Sequence, residues 1–258
     1  MGTSVERALD VLESISSSPK KAGALGEELG VHRSTMVRLL QTLDERGYVR
    51  RHPSGKWGIG FRLIAVSQQA LDSMDLREIA RPHLAKLSAA AGHTIHLAAR
   101  EGAAVYYVDK VEGEGEVRMR SRVGAEARLH TAGVAKVIMA FAPREIQDQA
   151  IEACTFDRFT STTIAGADEL RREWALIKRR GWATDDGEQE DWINCVAVPV
   201  FDATGDAIGG LSVTAVRSIA TLDDLQAHLS AILAARDSIS QELGWSAPRS
   251  GRSGVSVT

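Results

Sequence analysis

The sequence predicts an α+β protein in two parts. An N-terminal helix-turn-helix with a short β wing comes first; a linking helix then leads to an antiparallel sheet with helices on its faces. Three observations predict this. Apolar residues recur at three- and four-residue spacing in short blocks up to Arg46. A compact basic hairpin follows. From Asp75 on, strand-like and helical runs mix without a regular βα repeat, which argues against a doubly wound parallel sheet. The 258 residues, 44% of them hydrophobic, suffice for real cores.

In the first part, Val5, Ala8, Leu9, Leu12 and Ile15 predict a helix over 4–16, which Ser16-Ser17-Ser18-Pro19 ends. A short helix is expected from about Gly23 to Leu29, with Gly30 as its stop. Gly23 and Gly26 make it weak by propensity, so packing must hold it. The next helix runs from about Arg33 to Arg46, with Met36, Val37, Leu39, Leu40 and Leu43 as its apolar stripe. Tyr48–Arg51 and Lys56–Ile59 flank His52-Pro53-Ser54-Gly55 as a hairpin. Residues 61–73 read as a linking helix.

The second part is expected to hold a helix over 75–91 and strands at 93–100, 103–111 and 116–122. Helices follow near 131–141, 144–152 and 167–180. Strands 194–202 and 207–216 are joined by the turn Asp202-Ala203-Thr204-Gly205, and a helix over 221–243 closes the domain. The boundaries are thus 1–60 for the helix-turn-helix, 61–74 for the linker, 75–245 for the larger domain and 246–258 for a Ser-, Gly- and Arg-rich tail expected to be disordered.

Charge is uneven. The chain carries −3 overall, but His32–Arg62 holds seven Lys/Arg against two Asp/Glu. A basic segment on an acidic body points to one nucleic-acid-facing module and one module with other work. Arg33, Ser34, Thr35 and Arg38 lie opposite the apolar stripe, as base and phosphate contacts require. Arg50, Arg51 and Lys56 place cations on the wing, suited to phosphates. A solvated charged surface is the alternative for both groups.

Cys154 and Cys195 are the two cysteines, too far apart for a CxxC pair and too few for a disulfide framework. With no apolar run of membrane-spanning length and no apolar core near Met1, the expected compartment is the cytoplasm, with no membrane partner. His93, His96 and His130 raise a metal reading. A spacing of three on a strand sends His93 and His96 to opposite faces, so structural roles are preferred and no metal or cofactor is expected. Adjacent Asp185 and Asp186 point apart in an extended segment, which argues against a catalytic pair. Gly-x-Ser-x-Gly, metal-ligand spacing and a phosphate-binding glycine loop are all missing, so an enzyme is not expected.

Collinear motifs along the chain resemble the IclR family of bacterial transcriptional regulators. They are Ser4-Val5-Glu6-Arg7-Ala8-Leu9-Asp10, Arg33-Ser34-Thr35, Leu39–Leu43, Arg46-Gly47-Tyr48-Val49 and Asp75–Pro82. Ser121-Arg122-Val123-Gly124, His130, Lys136, Arg180-Gly181-Trp182, Asp185-Asp186 and Cys195–Asp202 continue them. The resemblance implies a winged helix-turn-helix, a linker helix and a C-terminal GAF-like effector-binding domain. It implies a homodimer or a tetramer built as a dimer of dimers on double-stranded operator DNA, with recognition helices about one turn apart. It also implies control by a small organic acid, most commonly in repression of a catabolic operon. An enzyme acting on such an acid and a ligand-independent DNA binder are the rival readings.

By position, the effector residues implied are Gly133, Val134, Asp185, Ile193, Cys195, Ser212 and Thr214. A helix start at Gly133 suits a carboxylate, and Ser212 and Thr214 face one side of a strand. For Cys195, pocket lining and plain core stand side by side. The chain departs from the family at Asp191-Trp192-Ile193-Asn194-Cys195, where Glu-Gly-Val-Arg-Cys is usual. Trp192 is then either a pocket wall, favouring an aromatic carboxylate, or an interface or surface residue.

Overall fold

A computed structural model describes residues 3–66, 76–114 and 119–246. The chain forms two compact units, residues 1–74 and 75–258.

In the first unit, α1 (Ser4–Ser16) opens with a capping box between Thr3 and Glu6. These reciprocal bonds satisfy N–H groups that a helix start leaves open. α2 (Ala22–Glu28) and α3 (Arg33–Glu45) form the helix-turn-helix. Gly26 is required where the turn folds back. Val31 N–H donates to the Gly26 carbonyl at 2.8 Å, and a Cβ on Gly26 would stand 2.7 Å from the Val31 carbonyl oxygen. The glycine that weakens α2 by propensity therefore makes the tight turn possible. β1 (Val49–Arg51) and β2 (Trp57–Ile59) pair antiparallel as the wing. Lys20 exchanges two backbone bonds with Trp57, at 3.0 and 2.7 Å, and ties the wing to the segment before α2.

Val11, Ile15, Leu25, Met36, Leu40, Val49 and Trp57 form this unit's core. Two stripe assignments are corrected. Val5 and Leu9 stand 69% and 55% exposed on α1, and Val37 lies outside the core cluster. Residues 61–66 are helical, with Phe61 and Ile64 exposed; the rest of the expected linking helix lies outside the described residues.

The second unit is a three-layer α/β/α domain. α4 (Leu76–Ala91) leads into β3 (Thr94–Glu101) and β4 (Ala104–Val111). α5 (Gly133–Phe141), α6 (Arg144–Ala153) and α7 (Ala167–Arg180) follow. Then come β5 (Ala183–Asp186), β6 (Ile193–Phe201), β7 (Ala207–Val216), α8 (Leu222–Ala227) and α9 (Leu229–Glu242). The five strands run antiparallel in the order β4-β3-β7-β6-β5.

Strand alternation divides the side chains. Ile95, Leu97, Val196, Val198, Leu211 and Val213 meet α4, α8 and α9 on one face. Ala98, Val105, Ala183, Cys195 and Ala197 meet α5 and α7 on the other. The register on that second face places His96 opposite Ser212, Thr214 opposite Cys195, and Cys195 opposite Asp185.

Three expectations differ. The strand expected over 116–122 does not form at 119–122, and its other residues lie outside the described set. Instead Glu126 bridges to Tyr106 on the sheet edge. The closing helix breaks at His228, which ends α8 and precedes α9. β5 is an additional strand. The tail expected from 246 lies outside the described residues beyond 246.

Candidate functional site

Two surfaces carry the chemistry. On the first unit, Arg33, Ser34 and Arg38 of α3 and Arg50, Arg51 and Lys56 of the wing are all exposed. Among the described residues none of these five cations has an ion-pair partner. Arg50 and Arg51 instead lie over the rings of Phe61 and Trp57, at 5.1 and 5.9 Å from their centroids. Cations left without carboxylates are available to phosphates.

Two predicted contacts are less open. Thr35 is half-buried. Ser34 Oγ lies 2.8 Å from Nδ1 of His32, the N-cap of α3, so that hydroxyl also serves the cap. Val37 and Gln41 were missed. With Arg33 and Arg51 they line a groove of about 680 Å3 between α2, α3 and the wing. An amide and a branched methyl suit adenine and thymine edges. Their i, i+4 spacing with Arg33 was the signal available in the sequence.

On the second unit a cavity of about 310 Å3 opens between the sheet and the segment 119–128. Seven of the eight effector residues expected from the sequence line it: Gly133, Val134, Asp185, Ile193, Cys195, Ser212 and Thr214. Trp192 does not. It is half-buried in the turn before β6, where its carbonyl accepts from Arg217 N–H at 2.8 Å. Of the sheet's aromatic residues it is Tyr107 of β4 that faces the cavity. An extended residue's partner face is set by strand pairing, and Trp192 stands just before pairing begins.

The floor is polar. Ser212 Oγ and Thr214 Oγ1 lie 3.5 Å apart. His96, which sequence reasoning treated as structural, sits beside them with Nδ1 3.2 Å from Thr214 Oγ1. Burial holds its imidazole far below the usual histidine range, at about 3, with Lys110 adding repulsion, so it stays neutral. Burial likewise pushes the Cys195 thiol up to about 12, which leaves it a protonated, unreactive lining group.

At the wall, α5 begins at Ala132 without a side-chain cap, and Ala132, Gly133 and Val134 line the cavity. The first N–H groups of a helix have no partner within it, so this start can hold an anion. Asp185 stands close by. Burial raises its carboxyl to about 6, against the pull of Lys136 and of the Glu188 N–H it accepts at 2.7 Å. Below the cavity, Lys136 and Glu188 form a buried ion pair. At the mouth, Arg120 lies 3.5 Å from Glu190, whereas exposed Arg122 has no ion pair among the described residues.

The three histidines of the metal reading are dispersed. His93 packs against His228, His96 lies in the cavity, and His130 lies 2.9 Å from the Asp157 carbonyl and 3.4 Å from Cys154 Sγ. Among the described residues no cluster of three His, Cys, Asp or Glu side chains fits a metal ion. No described helix is long and apolar enough to cross a membrane.

Comparison with known proteins agrees with this arrangement. The IclR helix-turn-helix domain profile matches residues 4–53, and that of the bacterial transcriptional regulator IclR C-terminal domain matches 68–241. The chain is 34% identical over 245 residues to the HTH-type regulator RhmR of Escherichia coli, covering 94% of each chain. It is 32% identical to KdgR of Dickeya chrysanthemi, covering 90% of this chain and 81% of that one. The crystal structure of Thermotoga maritima IclR superposes with a TM-score of 0.63 at 29% identity, covering 93% and 98% of the two chains. The repressor BlcR of Agobacterium tumefaciens, at 22% identity and TM-score 0.78 over 94% and 97%, shares the fold. These relatives are regulators rather than enzymes, and the chain belongs to the IclR family of bacterial transcriptional regulators.

Proposed function

We propose that this regulator is a cytoplasmic repressor of a catabolic operon, released or tightened on its operator by a small organic acid held in the cavity of the second unit. The observation that carries this reading is the uncapped start of α5 facing a polar cavity, with Arg122, which has no ion pair among the described residues, at its mouth. Anion-binding N–H groups and a cation suit a carboxylate. Hydroxyls and an amide on the remaining walls suit further oxygen atoms. An aromatic carboxylate loses its main support with Trp192 outside the lining, so a short polar acid is favoured.

Operator contacts are assigned to Arg33, Ser34, Arg38, Arg50, Arg51 and Lys56, with Thr35 in a supporting position. A homodimer, alone or paired into a tetramer, fits the exposed apolar residues Val5 and Leu9, one turn apart on α1, and Phe61 and Ile64 after the wing, which association would cover. Effector and operator affinities are then reciprocally linked.

The test is thermal melting against a panel of aliphatic and aromatic carboxylates, followed by operator titration with and without each hit. A ligand of the native state raises the melting temperature. Stabilisation by short polar acids together with a changed operator affinity is the expected result. A stabilising acid that leaves operator affinity untouched overturns the regulatory role of this cavity, and stabilisation by aromatic acids alone overturns the ligand class.

A further inference from the structure

His96 is absent from the residues that the family resemblance placed in the cavity, yet it joins the floor to the cavity's covering segment. It lies on β3 directly opposite Ser212 and is 4% exposed. Both ring nitrogens are engaged by hydroxyls: Nδ1 is 3.2 Å from Thr214 Oγ1, and Nε2 is 2.6 Å from Ser121 Oγ. The ring is braced by Tyr107, with centroids 5.3 Å apart. Lys110 fixes the other end, where its Nζ donates to the carbonyls of Met119 and Ser121 at 2.7 and 3.1 Å.

We propose that His96 is the specificity-determining residue of this cavity, and that it selects an acid bearing a hydroxyl remote from the carboxylate. The inference rests on the effector reading above and deepens it. A neutral imidazole has one donor and one acceptor nitrogen. Thr214 and Ser121 hydroxyls can each give or take a hydrogen, so the chain Thr214–His96–Ser121 can run in either direction. Thr214 and Ser212 also meet each other and the Cys195 thiol, and each hydroxyl oxygen, with two lone pairs, keeps acceptor capacity toward the cavity. Their mutual distance of 3.5 Å is at the limit of a hydrogen bond.

A ligand hydroxyl completes this set. A methylene in the same place offers these hydroxyls no further bond and keeps water from supplying one, which disfavours the deoxy analogue. A carboxylate is also disfavoured here. The imidazole carries no compensating charge, because burial holds its titration near 3, and an uncompensated buried anion is costly. The carboxylate therefore goes to the α5 start and Arg122, and the hydroxyl to Ser212 and Thr214, whose hydrogen-bonding direction His96 sets through Thr214. This sets the ligand's orientation.

The experiment compares hydroxylated and deoxy acids of equal length, 3-hydroxypropionate against propionate and gluconate against hexanoate, by calorimetric titration of the full chain. Wild type is expected to favour the hydroxylated member of at least one pair by tenfold or more. In His96→Phe, which keeps a ring but no hydrogen bonds, that ratio falls toward one while deoxy-acid affinity is kept. His96→Asn, with an amide in reach of Thr214, restores a large part of the ratio. A purely structural histidine would lower both affinities together and leave the ratio unchanged. An undiminished ratio in His96→Phe overturns the proposal and leaves the effector reading standing. Equal binding of both members by wild type does the same. No binding of any acid overturns both.

Discussion

A Cβ on Gly133 would stand 2.8 Å from Cys195 Sγ and 3.4 Å from the Cβ of Ala197. The start of α5 thus rests on β6 with no room for a side chain, and this approach sets the depth of the cavity. Gly133→Ala must turn the buried Cys195 sulfur aside or push the helix start away from the sheet. Overpacking of this kind costs about 1–3 kcal/mol, and the melting shift caused by an effector should shrink as the N–H groups move. Cys195→Ala in the same chain removes the sulfur and should recover the stability. Calorimetric melting of both variants, with and without effector, checks this; an unrelieved loss in the double variant would place the strain elsewhere.

Arg38 is exposed on α3 without an ion-pair partner among the described residues. Arg38→Ala should weaken operator binding and leave effector-induced stabilisation intact. If its contact is a phosphate, binding weakens evenly across operator variants and the salt slope falls by about one. If it is a base, discrimination at one position is lost at about 1–3 kcal/mol. Fluorescence anisotropy over a salt series separates the two.

Lys136 is 1% exposed and its ammonium pairs with the carboxylate of Glu188, itself buried. Lys136→Met leaves that carboxylate without its partner, and breaking one side of a buried pair costs about 3–5 kcal/mol. Lys136→Met with Glu188→Leu should be much less damaging than the single change. Urea unfolding of the three proteins measures the difference. A single variant as stable as wild type would mean that Glu188 takes a proton at little cost.

Asp185 gives a pH signature. Its folded carboxyl titrates near 6, above the ordinary 3.8, because burial disfavours the charge. The folded state therefore holds this proton more tightly than the unfolded chain. The resulting stability is complete below about pH 4 and is lost as pH rises through 6. Asp185→Asn has no charge to bury and its amide oxygen still accepts from Glu188 N–H. Its stability relative to wild type should improve between pH 4 and 7 by up to about 3 kcal/mol, then level off. Unfolding curves across that range test it; a difference that stays flat means the carboxylate ionises without penalty.

The helices and most strands were legible because their signals are local. The periodicity of α1 and α3, the helical run over 167–180 and the turn Asp202–Gly205 require no distant partner. β5 was not legible. Ala183-Thr184-Asp185-Asp186 has weak strand propensity and becomes a strand by pairing with Ala197–Asn194 of β6. The break at His228 was hidden by apolar spacing that continues across it.

The sequence by itself determined the winged helix-turn-helix, its basic face and the family, since periodicity, charge distribution and collinear motifs are properties of the chain alone. The tertiary structure decided which faces became a cavity. Alternation shows that His96, Ser212 and Thr214 each face one side of a strand, but only the β3–β7–β6 register puts them together and sets Cys195 under Gly133. It also turned Val37 outward and left Trp192 off the lining. Burial and pairing come from residues far apart in the chain, and they alone made His96 neutral, raised Asp185 and joined Lys136 to Glu188.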